Sequence, residues 1–534
     1  LPALFSEATP GRCTAWQQYV FFRSKSELNS AWICPPLLNE LLLLDEINIY
    51  PFMSNNTAVR QLTPASVWKN FADLNAVPRP SKKEERVIAF MRNFGESLQL
   101  ETIVDDIGNV VIKKPASEGM ENRPTVILQA HLDMVHQKNA DTDFDFNSQG
   151  IEMYIEEDWV KAKGTTLGAD NGMGVACIMA ILESADINHP PIEALFTIDE
   201  ETGMTGAKEL DRDILQGSIL LNLDTEEDDT IAIGCAGGVD SNTYLLYTQE
   251  SSPANGQAFE IKVRGLKGGH SGMDINLGRG NANKIMNRLL YHSPVHIASV
   301  DGGSLRNAIP RESSAVIVVH EDHLDEFRNT FDARTRAITE EYRISEPGLT
   351  FELLEADKPM LVMEEEIQKK VLDVLYAVHN GVWRMSPAVP GLVETSSSLA
   401  RVVIEDGEFI TQSLQRSALE SGKKDVANAI RAAFESIGVT VENDGDYPGW
   451  APNPDSVLLK KAIAVYERLF DEQPHAAAYH AGLECGIIGD RYPGLDMISI
   501  GPTIKNAHSP DEKVSIASVQ KFWKFFTATL QEIE

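Results

Sequence analysis

The sequence predicts an α/β protein: one domain built on a mixed, largely parallel sheet, interrupted by an inserted α+β domain. Three observations carry this. Between Thr125 and Leu223, short apolar strand-like runs alternate with helix-like runs, the rhythm of βαβ units with a parallel sheet. After residue 237 that rhythm gives way to longer strands and amphipathic helices, richer in Gly, Ser and charge. The chain of 534 residues also exceeds the ~250–300 residues one hydrophobic core serves.

The elements follow in order. Residues 1–52 carry Pro, Ser and Cys in no clear period and read as an extension foreign to the rest, disordered or non-native; Met53 resembles a natural start. Ser66–Phe71 opens a helix, and Lys83–Leu98 has apolar residues at helical spacing. Gly108-Asn109 turns between Leu100–Asp106 and Val110–Lys113, a hairpin. Thr125–Ala130, Ile192–Ile198 and Ile219–Leu223 read as buried strands, with a small-residue helix over Asn171–Leu182 and another from Thr205 to Leu210. In the second domain, strand-like runs Gln257–Val263 and Ser314–Val319 accompany helices Asn281–Leu290 and Leu324–Tyr342. Turn-rich Asn443–Trp450 marks a return crossing, and Ser456–Phe470 is a helix. The predicted organisation is 1–52 extension, 53–237 first part of the main domain, 238–447 insertion, and 448–534 second part of the main domain.

Composition narrows the function. The chain carries 47 Lys and Arg against 79 Asp and Glu, a formal net charge of −32, so a phosphate backbone is an unsuitable partner. No run reaches the ~18–20 apolar residues of a membrane span; Leu37–Ile47 is broken by Asn39, Glu40, Asp45 and Glu46 and lacks the flanks of a signal peptide. Five cysteines, odd and sparse, form no disulfide framework and suit a reducing cytosol. They lack metal-ligand spacing, and Cys177 and Cys485 read as packed residues.

The chemistry lies at the strand ends. The first strand ends in His131-Leu132-Asp133, the second in Asp199-Glu200-Glu201 and the third in Asp224, while Gly168-Ala169-Asp170-Asn171-Gly172 opens the small-residue helix. In α/β sheets the working groups gather past the carboxyl ends of strands. Carboxylates crowded on one rim repel and resist desolvation. A divalent cation relieves both costs, and carboxylate with imidazole suits zinc, cobalt or manganese. On an extended run, His131 and Asp133 share a face, so that one binds a metal and the other orients it. Glu200 and Glu201, if extended, point apart, one to a metal and one to its water. A lone His-x-Asp or Glu-Glu is a weak signal; four such signals after successive elements are a strong one.

These runs resemble the signature of the zinc aminoacylase and dipeptidase superfamily. More closely, Leu128–Val135, Lys267–Gly272, Arg306–Arg311, His480–Gly486 and His508–Glu512 resemble the bacterial aminoacyl-histidine (cytosol non-specific) dipeptidases, from about Thr63 to the C-terminus. The resemblance implies a zinc-peptidase catalytic domain with an inserted lid and two zinc ions per chain, cobalt or manganese being possible substitutes. It implies His131, Asp170, Glu201, Asp224 and His508 as ligands, with Asp170 bridging. Glu200 would be the general base, Asp133 would orient His131, and His270 would stabilise the oxyanion from the lid. Asn307 and Arg416 would contact substrate, Arg416 at its terminal carboxylate, although Leu414-Gln415 precedes it where relatives favour Asp-x-Arg. It further implies hydrolysis of unblocked dipeptides such as Xaa-His in the cytoplasm, by a chain that dimerises through its lid.

Other readings compete. Gly268–Gly272 alone is a tight turn and does not match a phosphate loop. His480 is a core or substrate-side histidine rather than a ligand. No Gly-x-Ser-x-Gly elbow supports a serine hydrolase. A deacylase of N-acyl amino acids would use the same metals. A non-catalytic zinc-binding protein would leave Glu200 without a task.

Overall fold

The computed structural model describes residues 56–534, within a compact unit spanning 52–534; the expected extension over 1–52 lies outside the described residues. An eight-stranded sheet is ordered Glu101–Val104, Val110–Lys114, Ile192–Thr197, Val126–His131, Ile219–Asn222, Asp496–Ser499, Thr230–Cys235, His475–Tyr479. Val126–His131 runs parallel to both its neighbours, and Ile219–Asn222 runs parallel to Asp496–Ser499. The hairpin 101–114 adds antiparallel edge strands. The sheet is therefore mixed, and the carboxyl ends of its parallel strands open on one rim.

The central strands are buried on both faces, which is why they read as continuous apolar runs. Val126, Leu128 and Ala130 pack with Phe71, Met173 and Phe526. On the opposite face Ile127 and Leu220 pack with Ala207, Cys485 and Ile488. Gln129 and His131 follow Ile127 on that second face, since side chains alternate along a strand. The helix Ala169–Glu183 is buried almost throughout, and its small residues allow close packing against helix Ala65–Leu74 and strand Val126–His131.

The chain leaves this sheet after Cys235 and returns past Tyr447, the two crossings pairing at Cys235 and Trp450. Between them lies a second, antiparallel sheet of nine strands. Its order is Thr350–Glu355, Gly256–Arg264, Ser313–His320, His296–Gly302, Val393–Glu405, Glu408–Ser417, Gly237–Leu246, Thr440–Tyr447, with Gly381–Met385 beside Val393–Glu405.

This sheet contains the same βαββαβ pattern twice. One unit is 256–264, helix Ala282–Leu290, 296–302, 313–320, helix Leu324–Tyr342, 350–355. The other is 237–246, helix Glu365–Ala377, 393–405, 408–417, helix Glu420–Glu435, 440–447. The first is inserted after the first strand of the second. Within the sheet the orders mirror each other about the antiparallel seam Val300↔Ile404 to Gly302↔Val402. The helices cover an apolar core of Phe259, Leu289, Phe327, Phe409 and Phe434.

Candidate metal centre

The rim of the eight-stranded sheet gathers His131, Asp133, Asp170, Glu200, Glu201 and Asp224, and the loop after Ile504–Lys505 brings His508 to them. Asp170 connects the set. Its Oδ1 lies 3.2 Å from Nε2 of His131, and its Oδ2 lies 3.2 Å from Nε2 of His508. Asp224 Oδ1 lies 3.5 Å from the same His131 nitrogen. Glu201 Oε2 lies 3.0 Å from the same His508 nitrogen. Two ligand trios thus share one carboxylate: His131, Asp170 and Asp224 on one side, and Asp170, Glu201 and His508 on the other.

Local chain geometry produces this. The helix begins at Ala169, but Asp170 and Asn171 depart from helical angles. Asp199 takes a positive φ of 56°, so the chain turns before Glu200-Glu201 instead of continuing as a strand. The expectation of an extended pair is corrected accordingly: both glutamates lie in the turn. Their N–H groups donate to Asp133, Glu200 to Oδ1 at 3.0 Å and Glu201 to Oδ2 at 3.2 Å. Lys82, Thr202 and Thr205 all bond the Asp199 carboxylate behind the turn.

Asp133 is fully buried and its Oδ1 lies 3.4 Å from Nδ1 of His131. Burial alone would raise its carboxyl, but His131, the Glu200 N–H and Ser81 hold it below the usual range. The carboxylates also raise the imidazoles. Burial opposes a charged His131, yet Asp224, Asp133 and Asp170 keep its pKa well above the ordinary value. Bonds to Asp170 and Glu201 raise His508 to about 11. Where no such partner dominates, carboxyls rise: burial pushes Asp224 up to about 6 and Glu200 well above its usual range.

The donors fit a pair of dications. Oε1 of Glu201 and Oδ1 of Asn171 are buried with no hydrogen-bond partner, and an uncompensated buried oxygen is costly. Imidazole nitrogen and carboxylate oxygen are donors for zinc and similar borderline ions.

The inserted domain contributes a second cluster. Nδ1 of His270 accepts the N–H groups of Gly272 and Met273 at 3.2 and 3.0 Å. The neutral ring therefore carries its proton on Nε2. Burial and Arg416 lower this histidine to about 4, so it is neutral at physiological pH. Arg416 is 4 % exposed. Its Nη1 donates to the Tyr447 hydroxyl at 2.8 Å, and its Nη2 lies 3.4 Å from Nε2 of His270. Its Nε is buried without a partner. Asn307 is exposed; its carbonyl accepts the Ser271 N–H at 2.8 Å, which fixes it beside the His270 loop.

A turn of the first domain meets this cluster. Nε2 of His480 is 2.7 Å from the Ser396 hydroxyl, and a Cβ on Gly272 would collide with the His480 carbonyl. His480 thus touches the inserted domain and joins neither ligand trio. The same turn leads to Glu484, fully buried, whose Oε2 accepts from Gln129 at 2.7 Å and Thr197 at 2.6 Å. Burial raises Glu484 and Glu226 to about 8 each. Glu484 lies inside the run His480–Gly486 but was given no role from sequence, and Glu226 was not singled out; a signal for Glu484 was Gln129, two residues before His131 and on its face of the strand.

Fold and site together define an α/β protein whose sheet rim carries donors able to hold a pair of cations. The chain belongs to Peptidase family M20/M25/M40, a model of which matches residues 127–532. It is 41% identical over 480 residues to the cytosol non-specific dipeptidase of Escherichia coli strain K12, covering 89% of this chain and 98% of that protein. The crystal structure of aminoacylhistidine dipeptidase from Vibrio alginolyticus matches with a TM-score of 0.83 at 42% identity, over 89% of this chain and 98% of the other. A tripeptidase from Staphylococcus aureus shares the fold, with a TM-score of 0.51 at 14% identity, over 88% of this chain and 99% of that one. Among the described residues no helix is long and apolar enough to cross a membrane.

Proposed function

We propose that this chain is a cytosolic dipeptidase that hydrolyses unblocked dipeptides, Xaa-His among them, with two zinc ions held by His131, Asp170, Glu201, Asp224 and His508. The observation that carries the reading is Asp170, whose two oxygens face two separate histidines at 3.2 Å each. The likeness to the Escherichia coli and Vibrio enzymes over nearly their whole length supports the substrate class. Such a metal pair supplies Lewis acidity and lowers the pKa of a water toward neutrality.

The protein's own groups do the rest. Glu200 belongs to neither trio that shares Asp170, although its backbone is pinned beside them by Asp133. It is placed to accept the water's proton and return it to the leaving amine, a contribution of roughly 10²–10⁴ in rate. Asp133 holds the His131 ring so that Nε2 faces the site. His270 presents an Nε2–H donor for the charge developing on the carbonyl oxygen. Arg416, buried and without an ion-pair partner among the described residues, receives the substrate's terminal carboxylate, with Asn307 alongside. Residues 238–447 act as the lid. His270 and Arg416 meet within one chain.

The test is hydrolysis of β-alanyl-histidine and alanyl-histidine with and without chelator. Cleavage of both that chelator abolishes and zinc restores is expected. Cleavage of acetyl-amino acids but not dipeptides would replace this reading with a deacylase, and zinc binding without turnover would leave a binding protein.

A further inference from the structure

Of the run His508–Glu512, the metal centre uses only His508, yet Glu512 is the more deeply buried, at 2 % exposure. Its carboxylate accepts four successive backbone N–H groups. Oε2 takes Leu167 at 2.7 Å and Gly168 at 2.9 Å, and Oε1 takes Ala169 at 2.7 Å and Asp170 at 3.2 Å. These are the residues that deliver the Asp170 carboxylate.

Arg79 lies on the other side of the same loop, 1 % exposed. Its Nη2 donates to the Gly168 carbonyl at 2.6 Å, and its Nη1 donates to the carbonyls of Leu132 and Asp133 at 3.0 Å each. Gly168 has a φ of 70°, and a Cβ there would stand 2.6 Å from Nη2. Burying an acid and a base is costly unless hydrogen bonds and an opposite charge compensate; burial pushes Glu512 up to about 7 and Arg79 down to about 10. Here both are present, since the Glu512 carboxylate favours the charge of Arg79, and each bond named ends on backbone at 132–133 or 167–170, which carries or adjoins a proposed metal ligand.

We propose that Glu512 and Arg79 are positioning residues: together they clamp the backbone around Asp170 so that its two oxygens face His131 and His508, and thereby set the two cation sites. The inference rests on the two-cation reading. It assigns no contact with substrate to either residue.

The test uses the full chain stripped of metal and titrated with cobalt(II), read by its visible absorption and by competition with a chelator. Glu512→Gln replaces one acceptor oxygen by an NH2 group, which faces backbone N–H donors it cannot satisfy. The expected result is a variant that keeps its far-ultraviolet circular dichroism, binds cobalt about 10- to 100-fold more weakly and shows an altered cobalt spectrum. Its kcat should fall while KM moves little. Arg79→Lys keeps the charge but loses the fork; it should also weaken cobalt binding, and it serves as the readout should Glu512→Gln fail to fold. Unchanged cobalt affinity and spectrum in a folded variant, with two ions bound by the parent chain, would overturn the clamp and leave the two-cation reading standing. A parent chain that binds no cobalt would overturn both.

Discussion

Oδ1 of Asp133 stands 3.4 Å from Nδ1 of His131, while the ring's other nitrogen faces Asp170 at 3.2 Å. Nδ1 also lies 3.2 Å from the Asp133 carbonyl oxygen, so Asp133 meets that edge of the ring through backbone and carboxylate together and leaves Nε2 toward Asp170, while the carboxylate holds the N–H groups of Glu200 and Glu201. Asp133→Asn keeps the shape but loses the charge and one acceptor. We expect metal affinity and kcat/KM to fall by about 10- to 100-fold, checked by chelator competition and steady-state kinetics. Wild-type values for both would mean that Asp133 orients nothing.

Glu200 separates chemistry from metal binding. Its carboxyl joins neither trio around Asp170, although with His131 and Glu201 it forms a third group able to hold a cation; the proposed mechanism gives it the proton instead. Glu200→Gln should therefore retain its metal content by elemental analysis while kcat drops by roughly 10²–10⁴, the usual worth of a general base. Loss of metal in this variant would reassign Glu200 as a ligand.

Much of this was legible because strand ends announce themselves. Apolar runs stopping at His131 and before Asp224, and the small-residue helix opening at Asp170, pointed to three side chains that converge on the rim. What sequence periodicity could not give was the turn at Asp199, whose positive φ overrides the alternation assumed for Glu200 and Glu201. Nor could it reveal the pairing of Gly237–Leu246 with Glu408–Ser417, because long-range register leaves no local trace, so the doubled unit of the inserted domain went unread. Arg79 was invisible for a similar reason: apart from the Asn75 side chain, it acts on backbone carbonyls, which have no residue type. Glu512 lay inside a recognised run, but its partners are also backbone.

Acid should act on the lid-side histidines. Burial, together with Arg416 and His270, lowers His480 to about 3, and His270 is lowered to about 4. Both are depressed below the unfolded value of about 6.5. A histidine held neutral in the native state costs nothing above that value. As pH falls below it, the unfolded chain binds protons that the native chain refuses, and stability declines until the folded pKa is reached. Denaturant unfolding of metal-free protein should therefore weaken from pH 6.5 to 4, and His480→Gln should make that decline shallower. An identical pH slope in the variant would show that His480 titrates normally.

In the proposed reaction, Arg416 is the group that would receive the substrate's terminal carboxylate. The guanidinium is buried, its Nε is unpartnered, and its Nη2 faces the Nε2–H edge of His270 at 3.4 Å, so two donors converge where an anionic acceptor would satisfy both. Hydrogen bonds to a charged group contribute about 1.5–3 kcal/mol each, which corresponds to roughly 10- to 150-fold in binding. Arg416→Met should raise KM for a free dipeptide by about that factor. The parent enzyme should prefer a dipeptide over its C-terminal amide, and the variant should lose that preference, since neither substrate then finds a cation. Comparing kcat/KM for the two substrates on both proteins makes the measurement. A variant that still favours the free carboxylate would move that recognition away from Arg416, with the exposed Asn307 as the next group to change.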